Sequence, residues 1–583
     1  VGLWAEIRRR KVVRAAVAYA IIAWLLVQVA TAMEPALRLP EWFDTFIVAT
    51  LIIGFPIACL LAWWFELTPG GVKLTADAAA VPPPALTAGS AAAPAILTAR
   101  AASKKPSIAV LAFADMSPER DQEYFSDGLA EELLNQLAQL KDLRVIGRTS
   151  SFAFKGKNTD LRTIGETLGA RHILEGSVRK AGDRLRVTAQ LIDASDGSHV
   201  WSEAFDRQLA DVFAIQDEIA GAVASALKLA LGVGGDTTAE PPTADVEVYD
   251  LYLRARAQFH HGGPVALERA SDMFHEVLAR DPDFLIARSS LAETYTYVAT
   301  MIPERSDEMI RALERVAAEA RARAPEHWTT HFTSAVAHAM RKSWADAERA
   351  FTQAAEHAGS NRSEISQSRG WMLLAVGRAA DVVDVMRESV RGDPLSSARS
   401  LQLQTALQQA GRREEAEVEY RRSADLAGAS EPREHLALFR AWEAGDRELT
   451  RSRFDGFLRA QSLPLPVFAA ERAVADDPDA VLALLRAAHD DPANQDPTRQ
   501  LLIGLHAGHY GGVELALAAL RRGFVDLRGS YMASLWYPHM AAVRRAPGFK
   551  DLVRDLGLVD YWRETGEWGD FCRPVGADDF ECF

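Results

Sequence analysis

At 583 residues the chain is too long for one core, and about three or four structural units are expected. Apolar residues make up 48% and charged residues 25%, which excludes bulk disorder. The net charge of −14 counts against nucleic acid as a partner, because phosphate binding needs concentrated positive charge. Of the three cysteines, Cys59 lies in an apolar segment, while Cys572 and Cys582 lie close to the C terminus. None has a metal-ligand spacing, and two free thiols are expected at the terminus, with a Cys572–Cys582 bridge as the alternative.

Val12–Met33 and Phe43–Phe65 are apolar runs of about 22 residues, each long enough as a helix to cross a hydrocarbon core of about 30 Å. Arg8, Arg9, Arg10, Lys11 and Arg14 flank the first run, and the loop Glu34–Trp42 holds only Arg38. The positive-inside rule then predicts a two-helix anchor contacting the bilayer through residues 12–65, in a bacterial inner membrane with the soluble part cytoplasmic. A periplasm-facing envelope factor is the alternative that reverses this topology. Ala76–Ala102, rich in Ala, Pro, Thr, Gly and Ser, is read as a tether.

Ser107–Phe113 is a short apolar run expected to form a buried strand. Tyr124–Leu140 carries Leu129, Leu133, Leu134, Leu137 and Leu140 at helical spacing, with Ser126 or Asp127 expected as its cap. Leu143–Gly147 is predicted as a strand and Leu161–Leu168 as a helix closed by Gly169. Three strands follow, the middle one alternating at Leu185, Val187, Ala189 and Leu191, with turns at Gly182-Asp183 and Asp196-Gly197. Phe213–Leu231 closes the unit as an amphipathic helix, giving the order βαβαβββα.

The stretches KPSIAVLAFADMSPERDQEYFSDGLAEELLNQLAQL, LRVIGRTSSFAFKGK and LGARHILEGSVRKAGDRLRVTAQLIDASDGSHVWSEAFDR resemble the TolB amino-terminal-like (FlgO-like) module of bacterial envelope and signalling proteins. The resemblance implies a module without catalysis of its own. A nucleotide cyclase or kinase domain sometimes precedes such a module. Here residues 1–104 are read as anchor and linker, so none is expected. The carboxylates Asp115, Asp127, Asp193 and Asp196 fall near strand ends, where turn and cap chemistry accounts for them. No Walker loop, G-x-S-x-G elbow or H-E-x-x-H helix occurs, and adjacent His260 and His261 do not share a helix face. No catalytic, cofactor-binding or metal-binding residue is therefore expected.

From about Asp245 a signature recurs as Ala270-Phe274-Val277-Pro282, Leu313-Ala317-Ala320-Pro325, Ala347-Phe351-Ala354-Gly359, Val382-Met386-Ser389-Pro394 and Ala416-Tyr420-Ser423-Gly428. Successive starts differ by 43, 34, 35 and 34 residues, with Gly377 and Gly411 each five residues ahead of a signature. The period and the A-x3-F pattern resemble the tetratricopeptide repeat. The long first step is read as an insertion near Met301–Asp307. The end of the chain, with Trp536, Phe549, Leu552, Tyr561, Trp562, Trp568 and Phe571, is expected to cap the last repeat face.

The predicted architecture is multidomain: two transmembrane helices, a mixed α/β TolB-like domain and an all-α tetratricopeptide-repeat solenoid. The boundaries are 1–70 for the anchor, 71–104 for the linker, 105–232 for the α/β domain, 243–430 for the repeats, and 431–583 for degenerate helical repeats with an aromatic cap. The expected function is a membrane-tethered scaffold or signalling adaptor that binds a protein or peptide in the repeat groove. A regulatory partner of a nucleotide cyclase or kinase system is the alternative.

Overall fold

The computed structural model describes residues 65–68, 71–74, 106–138, 140, 143–231, 243, 245–302, 305–358, 362–427, 434–460, 466–576 and 578–583. Two compact units divide the chain, Val1–Thr98 and Ala99–Phe583. In the first, β1 (Phe65–Thr68) and β2 (Gly71–Leu74) form an antiparallel hairpin. The expected membrane anchor and inner-membrane localisation are corrected. No helix among the described residues is long and apolar enough to cross a membrane, and Phe65, assigned to the second span, opens a strand. Residues 12–33 and 43–64 themselves lie outside the described residues, as do the tether Ala76–Ala102 and Cys59.

The second unit opens with a mixed sheet. Strand β3 (Ser107–Val110) runs parallel to β5 (Arg144–Val145) on one side and β6 (His172–Ala181) on the other, and β4 (Ala114–Asp115) pairs with β6. The long strands β7 (Arg184–Asp193) and β8 (Ser198–Gln208) continue the sheet antiparallel. Helices α1 (Glu123–Leu137) and α4 (Val212–Leu231) cover one face, where Leu129, Leu133, Val187, Leu191, Ile215 and Ile219 are buried together. On the other face α3 (Leu161–Leu168) packs Ile164 and Leu168 against Ala109, Ile146 and Ile173, with the short α2 (Arg148–Phe152) alongside. Gly169 ends α3 at φ +61°, the left-handed conformation that a side chain disfavours. The cap of α1 differs from the expectation. The helix starts after Gln122, whose N–H donates to Asp115 at 2.9 Å, while Ser126 is buried and Asp127 pairs with Lys155.

Helices then alternate in antiparallel pairs: α5 (Val246–His261) with α6 (Pro264–Arg280), α7 (Leu285–Met301) with α8 (Ser306–Arg323), α9 (Trp328–Met340) with α10 (Trp344–His357), α11 (Arg362–Ala375) with α12 (Ala379–Gly392), and α13 (Ser397–Gln409) with α14 (Arg413–Ala427). Further pairs are α15 (Glu434–Ala444) with α16 (Arg447–Ala460), α17 (Pro466–Ala473) with α18 (Pro478–Asp490), and α19 (Pro497–His509) with α20 (Val513–Arg521). The first three residues of each signature fall on second helices. There Ala270, Phe274, Ala347, Phe351 and Ala416 are buried, and small residues let neighbouring helices approach. Tyr420 is half-buried beneath the Arg440 guanidinium, 4.4 Å from the ring centre. Gly377 and Gly411 close first helices at φ +84° and +71°, and Pro282 and Pro394 stand in the loops between pairs. The long first step does not come from a loop insertion alone. Helices α7 and α8 run 17 and 18 residues, against 13 and 14 for α9 and α10.

The chain ends with α21 (Ala541–Arg544), α22 (Pro547–Asp555), α23 (Leu558–Thr565) and a hairpin of β9 (Cys572–Val575) and β10 (Asp579–Cys582). Cys572 and Cys582 form a disulfide across that hairpin, which corrects the expected free thiols.

Candidate interaction site

The sheet module is built into the helical array at two places. At the first, Glu131 of α1 lies between Arg148 and the array's Arg256, with His260 at 3.4 Å. Burial opposes its charge, but Arg256 and His260 hold the Glu131 carboxyl well below its ordinary range. Burial and the Glu131 charge push neighbouring Glu132 up to about 7. Burial lowers His260 to about 4, with the Glu131 charge opposing that shift. Beside it, Tyr124 donates to Asp250 at 2.8 Å and Lys180 pairs with the same carboxylate at 3.0 Å.

The second junction uses the loop between α12 and α13. Gly147 N–H donates to Gly392 O at 2.8 Å. The Asp393 carboxylate, 2% exposed, accepts from the Ser150 N–H at 2.8 Å and from its hydroxyl, and faces Arg399 at 3.3 Å. A Cβ on Gly147 would stand 2.6 Å from Asp393, so only glycine permits this approach.

The opposite edge, formed by the turns inside each pair, is covered by the C-terminal segment. Lys342 donates to Phe524 O, and Trp344 donates to Leu556 O at 2.8 Å. The Trp536 and Trp562 indoles donate to Ala375 O and Val376 O at 2.9 and 3.0 Å, and Gln409 donates to Ala533 O at 2.7 Å. Trp536 packs 3.1 Å from where a Cβ of Gly377 would stand. Phe549, Leu552, Tyr561 and Trp562 are buried and Trp568 and Phe571 partly so. The aromatic terminus thus does more than seal the last pair. It runs back along α9–α14.

The start of the same edge exposes apolar side chains. There Val265 is 62% exposed, Tyr297 50% and Met301 53%, with the Phe259 ring edge-on to Tyr297 at 5.5 Å. The end of α5, the start of α6 and the end of α7 bring these residues to one edge, and Tyr297 and Met301 share a helix face. Sequence reasoning missed this patch, because singly each residue is an ordinary apolar helix position.

Helix α13 is buried far more completely than its pair partner α14 and exposes only Ala398. Its polar side chains therefore point into the array. Gln402 donates to Gln367 O, Gln404 to Gln408 and Gln408 to Glu443, all at 2.8 Å, while the Oε1 atoms of Gln402 and Gln404 have no partner among the described residues. A further buried group was not expected. His506 Nδ1 lies 2.8 Å from both Glu471 oxygens, with Trp442, Phe454, Phe457 and Phe468 around the ring. Its Nε2 has no partner among the described residues, and the Tyr510 hydroxyl bonds the Glu471 carboxylate. His509, stacked on Trp442 at 4.0 Å, is lowered to about 3 by burial.

Residues 103–222 match the family described as HilA/YgeH-like transcriptional regulator, second domain. That match, and not the expected TolB-like one, is what the module's sequence supports. The chain is 43% identical over 189 residues to a protein of Rhizobium meliloti (strain 1021) named "Putative adenylate cyclase 3", covering 32% of each. The family matched is regulatory by description, and the chain spans about a third of the length of the relative that carries the cyclase name. Among solved structures it is similar to a PelC dodecamer from Paraburkholderia phytofirmans, at 21% identity and TM-score 0.16 over 21% of this chain and 88% of that one. It is also similar to the human IFIT1 dimer with m7Gppp-AAAA, at 12% identity and TM-score 0.32 over 62% of this chain and 78% of that one. Scores this low assign neither a fold nor a ligand to this chain.

Proposed function

We propose that the protein is an interaction scaffold of a regulatory system, and that it takes a partner polypeptide on the partly exposed start of the turn edge. One observation carries this reading: Val265, Tyr297 and Met301 stand exposed on the edge that, further along, is covered by the chain's own aromatic terminus. A contiguous exposed apolar patch marks an interaction site, and aromatic and Met side chains are favoured there. The regulatory description of the matched family supports the setting. The proposed scaffold has no catalysis of its own. Its carboxylates are engaged in turns and ion pairs, as with Asp115 to Ser117 and Gln122, Asp127 to Lys155 and Asp193 to Ser195.

A photo-cross-linking residue placed at Tyr297 in cells tests the reading. One dominant polypeptide adduct is expected, absent when the same residue replaces Glu276 on a second helix. Adducts identical from both positions overturn it. Adducts sensitive to nuclease would assign a nucleic-acid partner instead, the class to which a transcriptional-regulator match points and which the net charge of −14 disfavours. The second reading, a cyclase or its regulatory partner, rests on the cyclase-named relative. Purified protein with ATP and Mg2+ is expected to form no cyclic nucleotide. Turnover that survives repurification would favour that reading.

A further inference from the structure

Three groups of metal-ligating type meet where the loop between α8 and α9 approaches the end of α10. Glu326 precedes α9, His331 lies one turn inside that helix, and His357 is the last residue of α10. One ligand atom from each lies within 4.8 Å of the others. The two imidazoles lie face to face, with centroids 5.2 Å apart and planes 30° apart.

Two further observations concern the ring nitrogens. His357 Nδ1 lies 2.8 Å from Gln353 O, so Nδ1 carries the proton and donates, leaving the Nε2 lone pair open. Metal-binding histidines are oriented by this kind of bond to a backbone carbonyl. In His331, Nε2 is buried and has no hydrogen-bond partner of good geometry among the described residues, the Gln353 side chain being its polar neighbour. Neighbouring His327 is different. Its Nδ1 accepts the Thr329 N–H at 3.3 Å as the cap of α9, so its lone pair is already used.

We infer that Glu326, His331 and His357 form a binding site for a divalent transition-metal ion of the zinc class. Two imidazole nitrogens and one carboxylate oxygen are the ligand set of a three-protein-ligand zinc site that keeps a fourth position for water. Imidazole selects zinc, copper, nickel or cobalt, whereas magnesium and calcium require oxygen donors. Small rotations of Glu326 and His357, both exposed, suffice to close the ligands on an ion. The ion would tie the end of α10 to the start of α9 and clip one helix pair at its loop edge.

The test is titration of the full chain with Co2+, a coloured substitute for Zn2+, followed by visible absorption. One Co2+ per chain with intense d–d bands, displaced by Zn2+, is expected. The bands should be lost in His331→Ala and His357→Gln and weakened in Glu326→Gln, and should persist in His327→Ala. His357 is exposed, so His357→Gln leaves folding intact and keeps the test decisive where His331→Ala disturbs α9. Zn2+ should also raise the thermal transition of the unmodified protein and not that of His357→Gln. No binding at millimolar Co2+, or bands of full intensity in a His331→Ala/His357→Gln double variant, overturns the assignment.

Discussion

Asp393→Ala should loosen the sheet module from the array. The carboxylate is 2% exposed and is the acceptor for two Ser150 donors and the counter-ion of Arg399. Alanine leaves the Ser150 N–H unpaired in a buried junction, at about 1–3 kcal/mol for such a donor. It also leaves Arg399 without its partner, for which breaking a buried ion pair costs about 3–5 kcal/mol. Two contacts moderate the sum: Arg399 keeps the Ser389 hydroxyl at 2.8 Å, and the Ser150 hydroxyl keeps donor Leu395 N–H at 2.7 Å. A loss of about 4 kcal/mol is therefore expected. Asp393→Asn, which keeps the shape and one acceptor, should lose about half of that. Urea unfolding followed by fluorescence and circular dichroism measures both. A double-mutant cycle with Ser150→Ala then isolates the contact, with coupling of about 1–3 kcal/mol expected. Additivity within about 0.5 kcal/mol would show that this contact does not hold module and array together, and would refute the reasoning.

Other perturbations follow from the same geometry. Glu132 has a folded-state value of about 7 against an ordinary 4.5, so the folded state binds a proton that the unfolded state has lost. Stability from this group should fall as pH rises from 4.5 to 7, and Glu132→Gln should flatten that limb of the profile and stabilise by about 3 kcal/mol at pH 8, read by urea melts across pH. Phe351→Ala, at a side chain 1% exposed and edge-on to Phe332, should cost about 3–5 kcal/mol in the same melts; a loss below about 1 kcal/mol would deny the repeat signature its packing role. Cys582→Ser should remove about 2–3 kcal/mol from the terminal hairpin and expose Trp562 and Trp568 to a collisional quencher before the array melts; unchanged quenching would show that the bridge does not hold the terminus down.

What was legible in the sequence is what short-range periodicity encodes. The alternation of Leu185, Val187, Ala189 and Leu191 marks a strand with one buried face, and all four are fully buried. The glycine after Leu168 and the small and bulky positions of second helices are local signals of the same kind. Contacts that close over long separations left no such trace. Asp393 meets Ser150 across 243 positions and Trp536 meets Ala375 across 161, and neither partner is marked by its neighbours. The cap of α1 was missed for a related reason: Asp115, on a strand, accepts the Gln122 N–H, the helix starts at Glu123, and Ser126 and Asp127 lie inside it. One missed feature did have a signal. The run SARSLQLQTALQQ of α13 holds a single charge, Arg399, and a helix that is polar through amides and not charges is suited to burial.

The placement of these long-range contacts also bears on where a partner can act. A helix pair presents its neighbours with two stacking faces, and here both loop edges of the middle pairs are occupied as well. One edge receives the module at Asp393, and the other carries the aromatic terminus from Lys342 to Gln409. The interior at α13 is closed by its own amides. The first two pairs differ: their turn edge keeps Tyr297 and Met301 at about half exposure, although Trp536 and Trp562, which cover the equivalent positions further on, are fully buried. On this edge the chain's own covering segment packs through its aromatic side chains. On the proposed reading the partner is a segment rich in aromatic side chains, seated as Trp536 and Trp562 are and donating to turn carbonyls.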